Sequence, residues 1–365
     1  MSQTTVLAVG GLACGLLAGA SAQFGRLCTF AAIEDALMAG DYRRSRAWLL
    51  AIAVTILGTQ VLGWAGALDL DSVPYGGVAL AFGGTLIGGV LFGFGMSQVG
   101  TCAFGLLVRM GTGDLRALVN VLIVGVAAFA ATAGALSGLR VYLSDLLVLD
   151  LRHVGSADLG DIARTFGGET AAVAIVAVVL TAAFWAALAT GGIRRKPRLF
   201  AASIGLGMAV VGGWLVTGVL ADPFEGIRTE SMTFVAPVGR LLLLVMGYGL
   251  SSAMFAITTV VGVVLGSLAV AAWRRETRWE AFDDPREMRR HLTGSVCMGF
   301  GGVLAQGCTI GQGMSAASVL ALSAPLAVFG MVVGARVGLT WLIEGAPRVF
   351  HRPFAIRGKP LEPGE

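Results

Sequence analysis

Two glycine-rich segments decide the fold: GGVLFGFGMSQVGTCAFG at 88–105 and GSVCMGFGGVLAQGCTIG at 294–311. They lie 206 residues apart, agree at seven of eighteen positions and share the frame G-F-G-x6-C-x2-G. Glycine is common in this chain, so some agreement arises by chance. A rare cysteine at the same offset does not follow from composition alone. We therefore interpret the two segments as copies of one repeated unit.

The composition around these segments is typical of a membrane protein. Of the 365 residues, 56% are hydrophobic and only 13% are charged, whereas soluble domains are about 25% charged. So few polar side chains cannot cover a soluble globule of this size, which argues against a cytosolic enzyme, a nucleic-acid-binding protein and a disordered scaffold. The 54 glycines indicate helices that pack backbone to backbone, or irregular chain within the membrane.

The charged stretches divide the chain into about nine apolar spans, and a membrane-spanning helix needs about 20 residues. The sequence therefore predicts an all-α polytopic membrane protein. The seventh span is too long for one straight helix, and the eighth is too short to cross without the loop after it. Both are expected to be broken or re-entrant. The predicted spans are 4–22, 47–68, 76–96, 117–136, 168–190, 199–220, 241–273, 292–305 and 324–343.

The basic residues set the orientation of these spans. With the N-terminus outside, 20 of the 26 lysines and arginines fall on inside segments, five on outside segments, and Arg336 within the ninth span. Cytoplasmic segments of membrane proteins are enriched in basic residues. The pattern predicts a multi-pass protein of a cell inner membrane, with its C-terminus in the cytoplasm. The net charge of +4 then reflects basic loops facing an anionic leaflet, and no nucleic-acid partner is expected.

The repeated segments run in opposite directions in this map, because the third span points inward and the eighth points outward. Such inverted-topology repeats place a transport site near the membrane midplane, where the two halves meet. The predicted organisation is a first half at 1–190 with a re-entrant cysteine loop near 93–105, a second, inverted half at 199–343 with a re-entrant cysteine loop near 299–311, and a cytoplasmic tail at 344–365.

Each cysteine loop combines one thiol with polar and glycine residues. Irregular backbone at membrane depth requires protein or water around it, and thiols, hydroxyls, amides and exposed N–H donors together suit an anion. Plain packing is the alternative for any buried cysteine, but the repeat carries both Cys102 and Cys308, which favours function. The predicted supporting residues are Gly93, Gly95, Thr101, Gly105, Gly299, Gly301, Gln306, Gly307, Thr309 and Gly311.

The other cysteines, and Arg336 within the ninth span, are interpreted mainly as residues that serve the fold. Cys14 and Cys297 are assigned to packing, whereas Cys28 is left open between packing and function on its residues alone. The five cysteines lack CxxC or Cys/His metal-ligand spacing, so we expect neither a zinc site nor a disulfide framework. Arg336 is expected to extend toward the cytoplasmic end of its span, with anion contact as the alternative.

With these motifs the chain resembles the YeeE/YedE family of sulfur-compound transporters. The resemblance rests on both G-F-G-x6-C-x2-G segments, on Arg26-Leu27-Cys28 after the first span, and on EGIRTESMTFVAPVGRLLL at 225–243. It implies an hourglass-shaped membrane protein that takes up thiosulfate, with three cysteines making successive transient contacts. Carried onto this sequence, these are Cys28, Cys102 and Cys308. It also implies a small cytoplasmic sulfur-carrier protein as partner.

The chemistry of the anion agrees with this resemblance, because a divalent oxyanion needs several weak partners to cross hydrocarbon. We expect a relay of thiol contacts without covalent bonds and without a cofactor. The alternatives are a membrane sulfurtransferase that forms a cysteine persulfide, an accessory subunit with packed cysteines, and a transporter of another ion such as selenite, sulfite or a metal. No G-x-x-x-x-G-K-[ST] motif is present, so any primary energy source is expected on another chain. The sequence leaves channel-like flow, proton coupling and cytoplasmic trapping open.

Overall fold

The computed structural model describes residues 3–69, 73–75, 79–150, 158–189, 193, 195–220, 228–247 and 254–344. These residues are predominantly helical, as expected. The predicted tail at 344–365 lies outside the described residues after Glu344. The helices are α1 (Gln3–Gly25), α2 (Thr29–Glu34), α3 (Arg43–Trp64), α4 (Phe82–Val99), α5 (Ala103–Gly111), α6 (Leu115–Thr132), α7 (Ser137–Asp145), α8 (Leu159–Leu188), α9 (Pro197–Trp214), α10 (Val235–Val245), α11 (Met254–Arg274), α12 (Pro285–Leu304) and α13 (Ser323–Glu344).

Three short π-helical segments accompany these helices. Asp35–Ala39 continues α2, Leu215–Val219 continues α9, and Gly311–Ala316 follows the second repeated cysteine. A π turn carries more residues per turn than an α turn and is frequent at functional positions. The third of these segments starts three residues after Cys308, so the backbone leaves regular α geometry next to a predicted site residue.

Eight helical stretches of the described residues are long and apolar enough to cross a membrane. They coincide with eight of the nine predicted spans. The remaining one, 292–305, is the apolar part of α12, whose first turns carry Arg286, Arg289 and Arg290. The long predicted seventh span is broken, because α10 ends at Val245 and Gly247 takes a left-handed conformation with φ of 91°.

One small strand pair adds to the predicted all-α architecture. β1 (Ala79–Ala81) and β2 (Val148–Asp150) pair antiparallel, with Leu80 opposite Leu149. The pair joins the segment before α4 to the segment after α7. β1 occupies residues 79–81 of the predicted third span, and α4 therefore starts at Phe82, directly after the strand.

Glycines hold α4 between α12 and α13. A Cβ on Gly93 would lie 2.0 Å from the Met331 carbonyl oxygen of α13, and one on Gly301 would lie 2.6 Å from the Phe92 nitrogen of α4. The backbones touch at these points, which is how apolar helices associate in lipid, where hydrophobic burial does not draw them together. The glycines of the two GFG steps therefore lie in packed helices and not in loops: Gly93, Gly95, Gly299 and Gly301.

The helices that precede the two cysteines run antiparallel. A Cβ on Gly88 would lie 2.8 Å from the Gly301 carbonyl oxygen, and one on Gly95 would lie 2.4 Å from the Gly294 carbonyl oxygen. Residues later in α4 therefore contact residues earlier in α12. The two repeated segments consequently point in opposite directions where they meet.

A second glycine-rich contact joins α1 to α11. A Cβ on Gly15 would lie 2.3 Å from the Thr259 carbonyl oxygen, and one on Gly19 would lie 2.1 Å from that of Val263. α1 also packs along α9. The first helix of the chain thus packs against two helices of its second half, α9 and α11. The main core contains Cys102 and Cys308.

Candidate functional site

The first cysteine turn places Cys102 at the N-cap of α5. Gly100 takes the left-handed conformation that ends α4, with φ of 77°. The Cys102 side chain is fully buried, and its Sγ accepts a hydrogen bond from the Gly105 nitrogen at 3.4 Å. A Cβ on Gly105 would lie 2.1 Å from Thr101 Oγ1. Thr101 and Gly105, both predicted as supporting residues, therefore position this thiol.

Two crossed cysteine–threonine pairs connect the segment after α1 to this turn. Cys28 Sγ lies 3.4 Å from Thr101 Oγ1, and the Cys102 thiol donates to Thr29 Oγ1 over 3.9 Å. The structure thus brings the half-buried Cys28 beside the first repeat cysteine. The sequence prediction missed Thr29. A signal was available, because each of the three segments contains adjacent Cys and Thr residues: Cys28-Thr29, Thr101-Cys102 and Cys308-Thr309.

The second cysteine turn follows α12. Gln306 has a φ of 58° and occupies the position equivalent to Gly100 in the repeat. A left-handed non-glycine residue is uncommon. Gln306 is exposed, so its contribution to the site is the backbone turn and not a side-chain contact. Gly307 and the fully buried Cys308 come next.

A buried glutamine fixes the chain after Cys308. The Gln312 nitrogen donates to the Cys308 carbonyl at 2.8 Å, and its Nε2 donates to the Ala305 carbonyl at 2.8 Å. Ser323 Oγ donates to Gln312 Oε1 at 3.1 Å. These bonds tie the turn to the end of α12 and the start of α13. Gln312 was not among the predicted supporting residues, although an amide in so apolar a segment marks a buried polar network.

The two cysteine turns lie near each other in the main core. Cys28 and Cys308 interact electrostatically with the Cys102 thiol, and the Thr309 side chain lies within hydrogen-bonding reach of it. Thr309 is buried, and no described residue forms a well-aligned hydrogen bond with its Oγ1. Three predicted site cysteines, two of them 206 residues apart in sequence, therefore form one cluster.

Residues from the predicted outer segments lie on the Cys308 side of the cluster. A Cβ on Gly311 would lie 2.8 Å from Thr233 Oγ1 and 3.7 Å from the Tyr75 hydroxyl. Burial raises the pKa of Tyr75, and the nearby Cys308 thiol and Glu230 carboxyl raise that pKa further. The phenol consequently stays a neutral hydrogen-bond donor at physiological pH.

A basic cavity of about 670 Å³ opens on the opposite side and is lined by Cys28, Thr101 and Gly105. Arg109 on its wall donates to the Gly100 carbonyl at 3.3 Å. Five arginines and one carboxylate give the wall a positive balance, which concentrates anions in a cleft. We call this space the outlet cavity, and its charged lining is Arg26, Arg44, Arg109, Arg275, Arg278 and Glu276.

The remaining cysteines lie away from these contacts. Cys14 is buried in α1 against α9, where a Cβ on Gly212 would lie 2.9 Å from its Sγ. Cys297 is half-buried in α12, and Arg336 is half-buried in α13. Within the part of the chain that the structure describes, no group of three His, Cys, Asp or Glu residues is arranged to hold a metal ion.

Eight candidate spanning helices among the described residues, packed around a core that contains two buried thiols, define a polytopic membrane protein. Within that class the chain belongs to the sulphur transport family, whose sequence model matches residues 24–337. The match includes all three clustered cysteines and confirms the family expected from the motifs.

Two curated relatives cover nearly the whole chain. One is the thiosulfate transporter TsuA of Escherichia coli (strain K12), which is 26% identical over 355 residues, 93% of this chain and 95% of that protein. The other is the thiosulfate transporter TsuA of Spirochaeta thermophila (strain ATCC 700085 / DSM 6578 / Z-1203), which is 27% identical over 329 residues, 89% of this chain and 96% of that protein.

Proposed function

We propose that this protein takes up thiosulfate, or a closely related sulfur-containing anion, across a cell inner membrane. The observation that carries the proposal is the cluster of Cys28, Cys102 and Cys308 beside the outlet cavity. Two relatives named thiosulfate transporters support it. The ion's route runs from the region of Tyr75 past Cys308 and Cys102 to Cys28. We call these three cysteines the path cysteines.

The thiols serve as weak, reversible contacts in this proposal. Transfer of a divalent anion into a low-dielectric interior costs far more than one contact returns, so several partners must share the ion in turn. An S–H group is a weak donor that can release the ion again. Conduction requires binding that is favourable at several sites but tight at none. No covalent bond and no cofactor are needed.

The outlet cavity supports a cytoplasmic exit with the N-terminus outside and the C-terminus inside. Its arginines belong to segments that the basic-residue rule assigns to the cytoplasm, and they provide a positive space next to Cys28. A released anion gathers there before a small cytoplasmic sulfur-carrier protein receives it. The surrounding lipid is the other partner of this apolar chain.

We also propose that 1–190 and 199–343 are inverted-topology halves with re-entrant cysteine turns that form an hourglass. The antiparallel contact of α4 with α12 supports this arrangement. So does the left-handed backbone at Gly100 and Gln306, which occupy the same offset in the two repeated segments. Equivalent turns at equivalent positions are what a structural repeat requires.

Uptake into proteoliposomes tests the proposed function. Vesicles that contain the purified protein should accumulate radiolabelled thiosulfate above protein-free vesicles, and excess unlabelled thiosulfate should suppress the signal while sulfate should not. Competition with selenite and sulfite identifies the preferred ion. Accumulation equal to that of protein-free vesicles would contradict the proposal.

The arginines around Cys28 favour one second candidate, a membrane sulfurtransferase. In that reaction the Cys28 thiolate attacks the sulfane sulfur of thiosulfate, the S–S bond of the ion breaks, and sulfite leaves with the bonding electron pair. The product is a Cys28 persulfide, which adds about 32 Da, one sulfur atom. We expect the intact mass to be unchanged after incubation with thiosulfate; a gain of that mass assigned to Cys28 would instead establish the enzyme.

Uptake should increase as the outer pH falls, because Glu230 lies near the proposed entrance. Burial raises the pKa of Glu230 above its ordinary value, and Arg240 and Arg228 oppose that increase without cancelling it. Arg240 lies 3.9 Å from the carboxylate, and Tyr75 is the other titratable neighbour. Protonation removes a negative charge that repels the anion. Initial rates in wild type should therefore increase as the outer pH falls from neutral into the range where Glu230 protonates, which lies above that of an ordinary glutamate.

The same pH series on Glu230→Gln provides the check on this assignment. The variant should transport at neutral pH at the rate that wild type reaches in acid, and its rate should vary little with pH. Asp145→Asn, at an exposed carboxylate at the end of α7, is the matched control and should retain the wild-type profile. An unchanged pH dependence in Glu230→Gln would remove Glu230 from the entrance.

A further inference from the structure

Each path cysteine that the structure places in a side-chain contact has a threonine hydroxyl beside it. Cys28 Sγ and Thr101 Oγ1 are 3.4 Å apart, and Cys102 Sγ and Thr29 Oγ1 are 3.9 Å apart. Thr309, the neighbour of Cys308 in the chain, also lies against Cys102. The proposed route is therefore lined by two kinds of group, soft thiols and hard hydroxyls.

Among the described residues, Thr309 and Thr59 are both buried threonines with an unused hydroxyl; Thr59 lies within α3, whereas Thr309 directly follows the path cysteine Cys308. Thr55, Thr217 and Thr259 each donate to the carbonyl four residues earlier in their helices, at 2.8, 3.0 and 2.7 Å. Thr309 lies in the turn after Cys308, and no described residue forms a well-aligned hydrogen bond with its Oγ1 although the residue is only 4% exposed. An unmade hydrogen bond of a buried hydroxyl is costly. A ligand oxygen beside Cys308 would satisfy the Thr309 hydroxyl.

We propose that the Thr309 hydroxyl is a specificity-determining contact, which donates to an oxygen of the sulfur anion while the thiols of Cys308 and Cys102 contact its terminal sulfur. This inference rests on the proposed function. Thiosulfate has one soft sulfur end and one end with three hard oxygens. A thiol is a weak donor and a hydroxyl is a full donor, so a mixed pair matches both ends of the ion.

The same pairing recurs farther along the route. Thr101 and Thr29 provide hydroxyls next to Cys28 and Cys102, so the ion meets a thiol and a hydroxyl again as it approaches the outlet cavity. Those two hydroxyls are within contact distance of thiols, whereas the Thr309 hydroxyl is near the Cys102 thiol but has no well-aligned hydrogen bond with a described residue, and it is the one beside Cys308. The first discrimination between anions therefore occurs at Thr309.

The decisive variant is Thr309→Val, which keeps the shape of the side chain and removes only its hydroxyl. Thiosulfate uptake into proteoliposomes should fall about tenfold, the change that about 1.4 kcal/mol represents. Thiocyanate, a sulfur-bearing anion without oxygens, should compete better with thiosulfate in the variant than in wild type. The thermal midpoint should be unchanged or higher, because a costly unsatisfied group has been replaced by a methyl group. Thr309→Ser should restore both rate and selectivity.

Thr259→Val is the matched control, since its hydroxyl is equally buried but satisfied by the Phe255 carbonyl. It should retain wild-type uptake and wild-type competition by thiocyanate. The inference is overturned if Thr309→Val transports at the wild-type rate with wild-type selectivity. It is also overturned if its uptake and thermal midpoint fall together while selectivity stays the same, because Thr309 would then be structural. Failure of wild-type protein to transport thiosulfate is a separate result and contradicts the proposed function itself.

Discussion

Cys102→Ala and Cys308→Ala should each reduce thiosulfate uptake by at least about tenfold, since an unmet partner for a buried charged group costs about 1.4 kcal/mol or more. Both side chains are fully buried. No water can take the place of the lost thiol there, so the ion must pass a point without a partner. Initial rates in proteoliposomes, normalised to the amount of folded protein, provide the measurement.

Cys28→Ala should have a smaller effect than either of these variants. Cys28 is half-buried and faces the outlet cavity, where water and the guanidinium groups of Arg26 and Arg109 can stabilise the anion. The expected order of uptake is therefore wild type, then Cys28→Ala, then the two buried-thiol variants. This order follows from burial and not from position in the chain.

Cys14→Ala is the control for the cysteine series. Cys14 is a buried residue of α1. Its side chain faces Gly212 of α9 and not the other thiols. Its loss should leave uptake unchanged. Wild-type rates in Cys102→Ala or Cys308→Ala would reject the thiol relay, and equal losses in all four variants would show that the effect is general destabilisation.

Gly93→Ala should destabilise the protein by about 3 kcal/mol, the upper part of the usual range for overpacking. The added Cβ would lie 2.0 Å from the Met331 carbonyl oxygen and 2.8 Å from the Ala335 nitrogen. Both obstacles are backbone atoms of α13, so rotation of a side chain cannot relieve the overlap. The helices must separate, and the cysteine turn after α4 moves with them.

Thermal unfolding in detergent, monitored together with uptake, checks this prediction. Gly138→Ala on α7 is the matched control: a Cβ at that position would meet no neighbouring atom within 4 Å, so the variant should unfold at or slightly above the wild-type midpoint. A wild-type midpoint for Gly93→Ala would show that α4 and α13 are not in backbone contact.

The membrane architecture was predictable because it depends on composition and on long apolar runs. Eight predicted spans overlap candidate spanning helices, and the excess length of the predicted seventh span correctly indicated a break, which follows Val245. The prediction for α12 was less complete. Its charged first turns, which include Arg286 and Arg289, hid the beginning of the helix from a hydropathy criterion.

The repeat located the two buried thiols but assigned some glycines to the wrong surroundings. A shared motif shows which residues recur, whereas it does not show whether a glycine shapes a loop or lets two helices touch. Gly105 shapes a cysteine turn, and Gly93 lies in a helix contact. Periodicity and spacing cannot separate these cases, because both require only the absence of a side chain.

The contacts between distant segments could not be read from the sequence. Thr29 meets Cys102 across 73 residues, and Tyr75 approaches the second turn from a segment with no apolar pattern. Hydropathy describes each segment against lipid and carries no information on which loops meet inside the protein. The adjacent Cys and Thr residues were a local signal for these contacts. That signal is recognisable only when the three cysteine segments are compared with one another.

The backbone contacts of α4 restrict how the route can open. Many carriers built from inverted repeats expose their site by rocking one half against the other, but α4, which we propose belongs to the first half, packs between α12 and α13 of the proposed second half. Separation of those halves would break contacts along the full length of a central helix. We therefore expect side chains and short turns to gate the ion, on the roughly nanosecond-to-microsecond scale of local motion instead of the slower scale of domain movement.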